Sequence, residues 1–189
     1  MVYTPEEDSF LLADEIRKYV NILSKEEKRE LKLLDMGSGT GILAETSINS
    51  GIKRENVLAV DIDGEAIKIL RKKRLKALKS NLFSKINKKD KFDLIIFNAP
   101  YLPEDKDEPE DSRFATTAGK RGNETILKFL KQAKNFISKE GRIFLLFSSL
   151  SKPKTILAQA KKLGYNSNML AEKSLFFEKL FVYELWAFN

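Results

Sequence analysis

A chain of 189 residues, of which 42 % are hydrophobic, is long enough for one domain with a full core and too short for two domains of ordinary size. It contains no cysteine and no histidine, which excludes disulfides, thiolate metal sites, cysteine nucleophiles and Ser–His catalytic arrangements. Its 34 basic and 27 acidic residues leave a net charge of +7, a balance found in nucleic-acid-binding proteins and also on the Lys- and Glu-rich surfaces of heat-adapted proteins.

The first half of the chain alternates apolar runs with helical patterns. A helix with one apolar face is predicted over 7–20, after Pro5 and with an acidic first turn. The charged stretch KEEKRE at 25–30 is interpreted as a connector. The following predicted elements are a strand at 31–36, a helix at 41–50, a strand at 57–63, a basic helix at 64–75 and a weak strand at 76–79.

The second half of the chain continues this alternation and then ends with two consecutive β-rich runs. Its predicted elements are a strand at 93–97, a helix over Asn123–Ser138, the strand RIFLLFSS after Gly141, a helix at 153–163 capped by Gly164, and two β-rich runs at 169–177 and 180–188. The final runs lie close together and predict an antiparallel pair. Strands that alternate with helices predict an α/β fold, with a parallel sheet between two helical layers and a mixed edge formed by the final pair.

Three glycines lie between the first predicted strand and its helix, in DMGSGTG at 35–41. They allow a tight turn and a close approach of the backbone to a ligand at the helix N-terminus. A dinucleotide-binding fingerprint needs another glycine where Ile42 stands, which weakens an NAD interpretation. Asp61 ends the second strand, where a carboxylate can accept hydrogen bonds from ribose hydroxyls, and Asp35 could face a cationic amino-acid head group. The pattern therefore favours a binding site for S-adenosylmethionine over a glycine-rich turn that serves only to connect a strand to a helix.

The predicted strand at 93–97 leads directly into Asn98, Ala99, Pro100 and Tyr101. The planar nitrogen of a glutamine amide or an adenine amine is hard to methylate because its lone pair is delocalised. Hydrogen-bond acceptors at both of its N–H groups help to localise that lone pair. The Asn98 side-chain carbonyl and the Ala99 backbone carbonyl, held extended by Pro100, can supply them, while Tyr101 offers a stacking face. Asn-x-Pro is also an ordinary turn, so this hypothesis depends on the neighbouring cofactor site.

With these motifs the sequence resembles the HemK-type protein methyltransferases, which modify the glutamine of the Gly-Gly-Gln loop in translation release factors. The family's NPPY signature stands here as NAPY at 98–101, and its glycine-rich motif as DMGSGTG. VYTPEEDSFLL at 2–12 resembles the short archaeal and eukaryotic branch without the bacterial N-terminal domain, and AGKRGNE at 118–124 falls at a Gly-rich family segment. The resemblance implies a Rossmann-like class I S-adenosylmethionine-dependent methyltransferase fold, with a mostly parallel seven-stranded sheet and an antiparallel C-terminal strand pair.

The resemblance also implies the residues of the site. The residues expected around the cofactor are Ser9, Asp35, Gly37, Gly39, Asp61, Asn81, Leu82 and Asn98. The acceptor amide is expected to contact Asn98, Ala99, Pro100 and Tyr101, with Asn98, Pro100 and Tyr101 catalytic and no metal. Ala99 replaces a proline of the family and Asn81 replaces an aspartate beside the adenine, so we expect reduced preorganisation with activity retained. One domain is expected over 1–189, with the N-terminal helix at 7–20, a cofactor half at 31–91 and an acceptor half at 92–189.

Two charge runs concern possible partners. Six of the eight positions at 104–111 are acidic, which indicates either a solvated loop or a rim that admits a basic protein loop and repels phosphate. The basic run at 68–79 indicates a solvent-facing helix or a contact with RNA. In the related branch a small zinc-binding activator subunit pairs with that edge of the sheet. No apolar run reaches the roughly 18 residues of a membrane span and no signal pattern begins the chain, so a cytoplasmic protein without membrane contact is expected.

Three functions remain open from the sequence. The first is a release-factor glutamine methyltransferase. The second is an adenine exocyclic-amine methyltransferase on RNA or DNA, against which the acidic run and the absence of residues for a separate target-recognition domain count. The third is a non-catalytic S-adenosylmethionine-binding module, against which Asn98 and Tyr101 count. Methylation of a cytosine carbon is excluded, because that route uses a cysteine nucleophile.

Overall fold

The computed structural model describes residues 6–100 and 122–187. The helices of these ranges are α1 (Glu7–Ile22), α2 (Lys25–Glu30), α3 (Ile42–Asn49), α4 (Gly64–Lys72), α5 (Glu124–Ala133) and α6 (Pro153–Lys162). The strands are β1 (Leu33–Met36), β2 (Val57–Asp61), β3 (Lys76–Lys79), β4 (Phe92–Asn98), β5 (Ile137–Ser148), β6 (Tyr165–Ser174) and β7 (Lys179–Ala187). Short 3₁₀ turns stand at Arg54–Asn56 and Ser149–Ser151.

The described strands form one seven-stranded sheet in the order β3-β2-β1-β4-β5-β7-β6. Neighbours from β3 to β5 are parallel, while β7 is antiparallel to both β5 and β6. The predicted mostly parallel sheet with an antiparallel C-terminal pair is therefore confirmed. The strand order reverses between β1 and β4, and open α/β sheets bind ligands in the crevice that such a reversal leaves at the carboxyl ends of the strands.

Buried apolar side chains cover both faces of the sheet. One cluster joins α1, α3 and α4 to strand residues such as Leu33 and Leu94. The other joins α5 and α6 to strand residues such as Leu34 and Ile95. Consecutive strand residues alternate between the clusters because successive side chains of a strand point to opposite faces. Burial on both sides explains why these strands read as continuous apolar runs.

Most predicted elements agree with the structure to within a few residues. The predicted end of α6 is confirmed, since its cap residue Leu163 is followed by Gly164 with a φ of 84°. The last two strands are confirmed as an antiparallel pair. However, β6 begins at Tyr165 and ends at Ser174, so part of the run predicted as strand at 169–177 belongs to the turn before β7.

The prediction of a connector at 25–30 is wrong, because these residues form helix α2. The Ser24 hydroxyl accepts a hydrogen bond from the Glu27 backbone N–H at 3.2 Å, and the Glu27 carboxylate accepts one from the Ser24 N–H at 2.7 Å. This pair is a capping box, which satisfies two backbone donors at the start of the helix. None of the helical residues is buried, so α2 has no apolar face that a search for periodicity can detect.

The helix predicted over Asn123–Ser138 is too long. The observed helix α5 ends at Ala133, and Ile137 begins β5, opposite Phe92 of β4. Gly141, interpreted as the boundary before the strand, lies inside it. A Cβ at Gly141 would be 2.6 Å from Ile137 Cγ1 and 3.0 Å from the Phe92 carbonyl oxygen, so close packing requires the glycine.

Candidate active site

Three polar side chains from three strands lie on one face of the sheet near its carboxyl edge. Asp35 is the penultimate residue of β1, Asp61 ends β2 and Asn98 ends β4. Asp35 is opposite Ala59 on β2 and Ile96 on β4, so Asp61 and Asn98 lie two positions farther along the neighbouring strands. A step of two residues keeps a side chain on the same face, and this face packs against α1, α3 and α4. Three acceptor side chains therefore lie together at the edge of the sheet where the strand order reverses, the place at which open α/β sheets leave a ligand-binding crevice.

The backbone after β1 turns through Gly37, Gly39 and Gly41, whose φ angles are 65°, 53° and 89°. The Gly39 N–H donates to Asp61 Oδ2 at 2.7 Å, which ties the turn to the end of β2. A Cβ at Gly41 would lie 2.7 Å from Leu70 Cδ2, while one at Gly39 would meet nothing within 4 Å. Gly41 is thus favoured by its backbone angle, and a side chain there would also displace Leu70, while Gly39 leaves open space where a ligand can approach the backbone.

Asp35 is a carboxylate with no exposed surface. Its Oδ2 accepts a hydrogen bond from the Ala44 N–H of α3 at 3.2 Å, and its Oδ1 has no hydrogen-bond partner. Burial raises the pKa of Asp35 to about 7, and the negative charge of Asp61 acts in the same direction, while the nearby Ser38 hydroxyl and the Ala44 N–H oppose the rise. A buried and half-satisfied carboxylate of this kind suits a cationic ligand group, which would both pair with Oδ1 and favour ionisation.

Asp61 is also buried, but each of its oxygens has a backbone partner. Oδ2 accepts from Gly39 at 2.7 Å and Oδ1 accepts from the Asp63 N–H at 2.8 Å. Burial raises the pKa of Asp61, and these hydrogen bonds oppose the shift. Each carboxylate oxygen keeps a second lone pair, so Asp61 can still accept two hydrogen bonds, as the two hydroxyls of a ribose would donate.

The segment after β3 is fixed beside Asp61 by a buried serine. The Ser80 N–H donates to the Asp61 carbonyl at 2.8 Å, and the Ser80 hydroxyl donates to the Leu82 carbonyl at 2.8 Å while accepting from the Lys85 N–H at 3.0 Å. Leu82 has a φ of 50°, a left-handed conformation that is uncommon outside glycine. Asn81 is exposed in this segment. The Ser80 hydroxyl thus stabilises a strained turn that lies next to Asp61, on the side away from the glycine-rich turn.

Asn98 is oriented by a contact with α1. Its Nδ2 donates to the Ser9 hydroxyl at 3.3 Å, and its Oδ1 is buried without a hydrogen-bond partner. Ser9, expected at the cofactor, therefore contacts the asparagine expected to hold the acceptor. The Ala99 N–H donates to the Leu146 carbonyl at 3.4 Å, and Pro100 is half-buried. The strand end thus presents an acceptor oxygen that nothing in the described chain satisfies.

Two serines that the sequence analysis did not single out complete the arrangement. The Ser38 hydroxyl donates to the Asp35 carbonyl at 2.7 Å and accepts from the Val60 N–H at 3.1 Å, which joins the ends of β1 and β2. The Ser80 hydroxyl likewise bonds to two backbone groups, those of Leu82 and Lys85, and so fixes the segment after β3. Ser38 lies inside DMGSGTG, but its partner on β2 cannot be read from the motif.

Several expectations lie outside the described residues: the stacking role of Tyr101, the acidic run at 104–111 and most of AGKRGNE at 118–124. Within residues 6–100 and 122–187, no helix is both long and apolar enough to cross a membrane. The same ranges contain no group of three or more His, Cys, Asp or Glu side chains that could hold a metal ion.

Comparison with known proteins assigns the family. Residues 17–176 match the model of the methyltransferase small domain. The chain belongs to this family. A Methanocaldococcus jannaschii protein, provisionally named a protein N5-glutamine methyltransferase, is 33 % identical to this methyltransferase over 98 % of the chain and 91 % of its own length. A release factor glutamine methyltransferase of Lactococcus lactis is 33 % identical over 66 % of the chain, and the match covers 50 % of that enzyme.

Solved structures share the fold of this methyltransferase. One is the E. cuniculi Mtq2–Trm112 complex, responsible for methylation of the translation termination factor eRF1. The match has a TM-score of 0.76 at 23 % identity and covers 99 % of this chain and 99 % of the matched chain of that complex. The T. thermophilus 16S rRNA N2 G1207 methyltransferase, solved with AdoMet and guanosine, has a TM-score of 0.66 at 19 % identity over 97 % of this chain and 44 % of that one. The predicted class I methyltransferase fold is confirmed.

Proposed function

We propose that this methyltransferase uses S-adenosylmethionine to methylate the side-chain amide nitrogen of the glutamine in the Gly-Gly-Gln loop of a translation release factor. The names of the M. jannaschii and L. lactis relatives and the substrate of the E. cuniculi complex support this substrate class. The observation that carries the proposal is the buried, unpartnered Oδ1 of Asn98 beside an acid-lined crevice. Residues 1–189 would act as one domain, whose cofactor half at 31–91 meets the acceptor half at 92–189.

The residues of the crevice fit S-adenosylmethionine. Asp35 has a free carboxylate oxygen for the methionine ammonium, and Asp61 has free lone pairs for the ribose hydroxyls. The backbone at Gly37 and Gly39 allows close approach, and the segment that Ser80 fixes would border the adenine. The full proposed cofactor set is Ser9, Asp35, Gly37, Gly39, Asp61, Asn81, Leu82 and Asn98, with Ser9 acting through its contact with Asn98.

The acceptor groups would hold the substrate amide and localise its lone pair. Asn98 Oδ1 accepts one N–H of the glutamine, and the Ala99 carbonyl, kept extended by Pro100, accepts the other. When bound, S-adenosylmethionine would supply an electrophilic methyl carbon for the amide nitrogen, with the sulfonium sulfur leaving as a neutral thioether. One N–H proton then leaves to water, so the amide ends neutral. Such a proton needs no histidine or cysteine base, in agreement with the composition. Stacking by Tyr101 stays a sequence prediction.

Methylation of an adenine amine in RNA is the competing function. The net charge of +7 favours it, and an rRNA methyltransferase shares the fold. An exocyclic amine presents the same two N–H donors on a planar nitrogen, so Asn98 and Ala99 cannot distinguish it from a glutamine amide. Only assays with both a protein acceptor and an RNA acceptor can therefore distinguish the two functions.

Transfer of labelled methyl from S-adenosylmethionine tests the proposal. The acceptors are a release factor with Gly-Gly-Gln, its Gly-Gly-Asn variant and an adenine-containing RNA, each with and without a small zinc-binding activator such as the partner in the E. cuniculi complex. Label on the Gly-Gly-Gln protein alone is the expected result. Label on RNA alone would replace the substrate assignment, and binding of the cofactor without transfer to any acceptor would support a non-catalytic module.

Two asparagine variants test the role of the acceptor oxygen. Asn98→Ala should lower kcat by roughly 10²- to 10³-fold, the usual loss on removing one electrostatic contact to the reacting group. Affinity for S-adenosylmethionine should fall much less than kcat, because Asp35 and Asp61 would supply the main polar contacts to the cofactor. Asn135→Ala removes an exposed amide in the turn after α5 and should leave kcat unchanged. Equal activity of the Asn98 variant and the parent would exclude this role.

A further inference from the structure

The turn between β6 and β7 carries strongly exposed apolar side chains. Phe176 is 91 % exposed and Phe177 is 86 % exposed, and their rings contact each other edge to face with centroids 4.5 Å apart. Leu150, in the 3₁₀ turn after β5, is 43 % exposed. We call these three residues the tip patch. Large apolar side chains grouped at the surface mark an interaction site more often than single exposed ones do.

The turn that presents the patch is firmly held. The Leu175 N–H donates to the Glu178 carbonyl at 2.8 Å, which closes the turn. The Lys179 N–H donates to the Ser149 hydroxyl at 3.0 Å, which joins the turn to the segment containing Leu150. Leu175 packs against the apolar cluster on the α1 face of the sheet. The two phenylalanines are therefore held in solvent by an anchored turn.

The charges around the patch are mostly paired within the chain. Lys179 forms an ion pair with Glu172 at 2.7 Å, and Lys173 pairs with Glu7 of α1. Glu178 differs, because its Oε2 is buried and has no hydrogen-bond partner. The groups at the turn that have no partner within the described chain are thus the exposed apolar side chains and one carboxylate oxygen beside them. A complementary partner offers an apolar surface with a neighbouring N–H or cationic group.

The register of the sheet places the patch near the acceptor site. Asn98 is opposite Leu146 of β5, and Leu146 is opposite Val182 of β7, so two strand spacings, about 10 Å, separate Asn98 from β7. Because β7 is antiparallel, its first residues lie at the carboxyl end of β5. Phe177 precedes Val182 by five positions, which places it roughly 15 to 20 Å from Asn98. A standard protein interface is about 30 Å across, so a single interface of ordinary size can include both Asn98 and the patch.

We propose that the tip patch is a docking surface for the release factor, an inference that rests on the proposed function. A Gly-Gly-Gln loop offers few side-chain atoms, so the acceptor site alone has little with which to distinguish this glutamine from others. Contacts away from the loop must supply the difference. The tip patch lies within reach of a protein presenting its glutamine to Asn98, and Glu178 adds an acceptor for a donor on that protein.

Steady-state kinetics with the whole release factor test this inference. The double variant Phe176→Ser/Phe177→Ser should raise KM for the release factor at least about tenfold, the scale of loss for aromatic residues central to an interface. Its kcat and its KM for S-adenosylmethionine should stay at the parent values, because docking contacts act equally before and during methyl transfer. Ile22→Ser is the matched control. Ile22 is 82 % exposed at the far end of α1, and its variant should match the parent throughout.

Each other outcome rejects a particular statement. A parent that transfers no methyl to the Gly-Gly-Gln protein overturns the proposed function and this inference with it. A parent that transfers methyl, with KM for the release factor unchanged in the variant, overturns the docking surface alone. A lower kcat or a higher KM for the cofactor shows that the turn supports the crevice instead. Self-association of the parent that the variant abolishes, with KM unchanged, assigns the patch to a second copy of the chain. If the double variant does not fold, Phe177→Ser decides by the same criteria.

Discussion

Replacing Asp35 by asparagine should change how the stability of the cofactor-free protein depends on pH. The pKa of Asp35 rises from an ordinary value of 3.8 to about 7 on folding, chiefly because of burial. Between about pH 4 and pH 7 the folded protein therefore keeps a proton that the unfolded chain has lost. Stability contributed by that proton is present at low pH and is lost as pH rises through 7. Asparagine cannot titrate, so this contribution is absent from the variant.

The expected difference is large enough to measure. With these two pKa values, the parent loses roughly 2 to 3 kcal/mol of unfolding free energy relative to Asp35→Asn between pH 5 and pH 8. For a chain of 189 residues this corresponds to about 5 to 10 °C in Tm. Denaturant unfolding of both proteins at both pH values gives the quantity directly. Comparing the two pH-induced changes cancels the titration of other groups and any constant packing effect of the substitution.

A control separates the buried carboxylate from a general change in net charge. Glu26→Gln removes one acidic charge from an exposed position of α2 and should keep the pH profile of the parent. The reasoning is refuted if Asp35→Asn and the parent lose the same stability between pH 5 and pH 8. It is also refuted if the parent gains stability relative to the variant toward high pH.

Three further predictions concern the crevice. Affinity for S-adenosylmethionine should tighten by up to about tenfold per pH unit as pH rises toward 7 and then level off, because Asp35 must ionise to pair with the ammonium; calorimetry from pH 5.5 to 8 would contradict this with a flat profile. Gly41→Ala should lower Tm far more than Gly39→Ala, since only the first Cβ clashes, at 2.7 Å from Leu70 Cδ2, and the second adds about 1 kcal/mol of backbone strain; similar melting losses would be inconsistent. Ser80→Ala should cost about 1 to 3 kcal/mol of stability and weaken cofactor binding while leaving kcat at saturating cofactor intact, which denaturation and cofactor titration would show. A fall in kcat instead would assign Ser80 a direct role in transfer.

The fold was largely predictable because local signals agree with its topology. Apolar runs such as 93–97 stop at glycine, aspartate or asparagine, and helical patterns separate them, which favours one parallel arrangement. The errors have physical causes. Helix α2 depends on the Ser24–Glu27 capping box and has no apolar face. The end of α5 was missed because Phe136 and Ile137 continue its apolar pattern, while the chain uses Ile137 to pair with Phe92 in the sheet.

The site was predictable only in part. Asp61 and Asn98 could be placed because they end strands that a parallel sheet brings to one edge. The contact between Ser9 and Asn98 joins residues 89 positions apart, so no local pattern contains it. Ser38 and Ser80 were missed because a serine hydroxyl can bond almost any nearby backbone group, and the sequence does not show which group lies there.

The unsatisfied acceptors of the described residues give a common physical basis to both proposals. Buried side-chain oxygens without a partner occur there in Asp35, Asn98 and Glu178. Folded proteins pair most such groups, and an unpaired one costs about 1 to 3 kcal/mol. All three lie at or near the carboxyl edge of the sheet, on β1, on β4 and in the turn before β7. Each can be satisfied by a donor from outside the chain: an ammonium at Asp35, an amide N–H at Asn98 and a donor on a docked protein at Glu178. Random packing defects would not be confined to one edge, so this edge is better explained as one continuous surface that cofactor and protein substrate complete together.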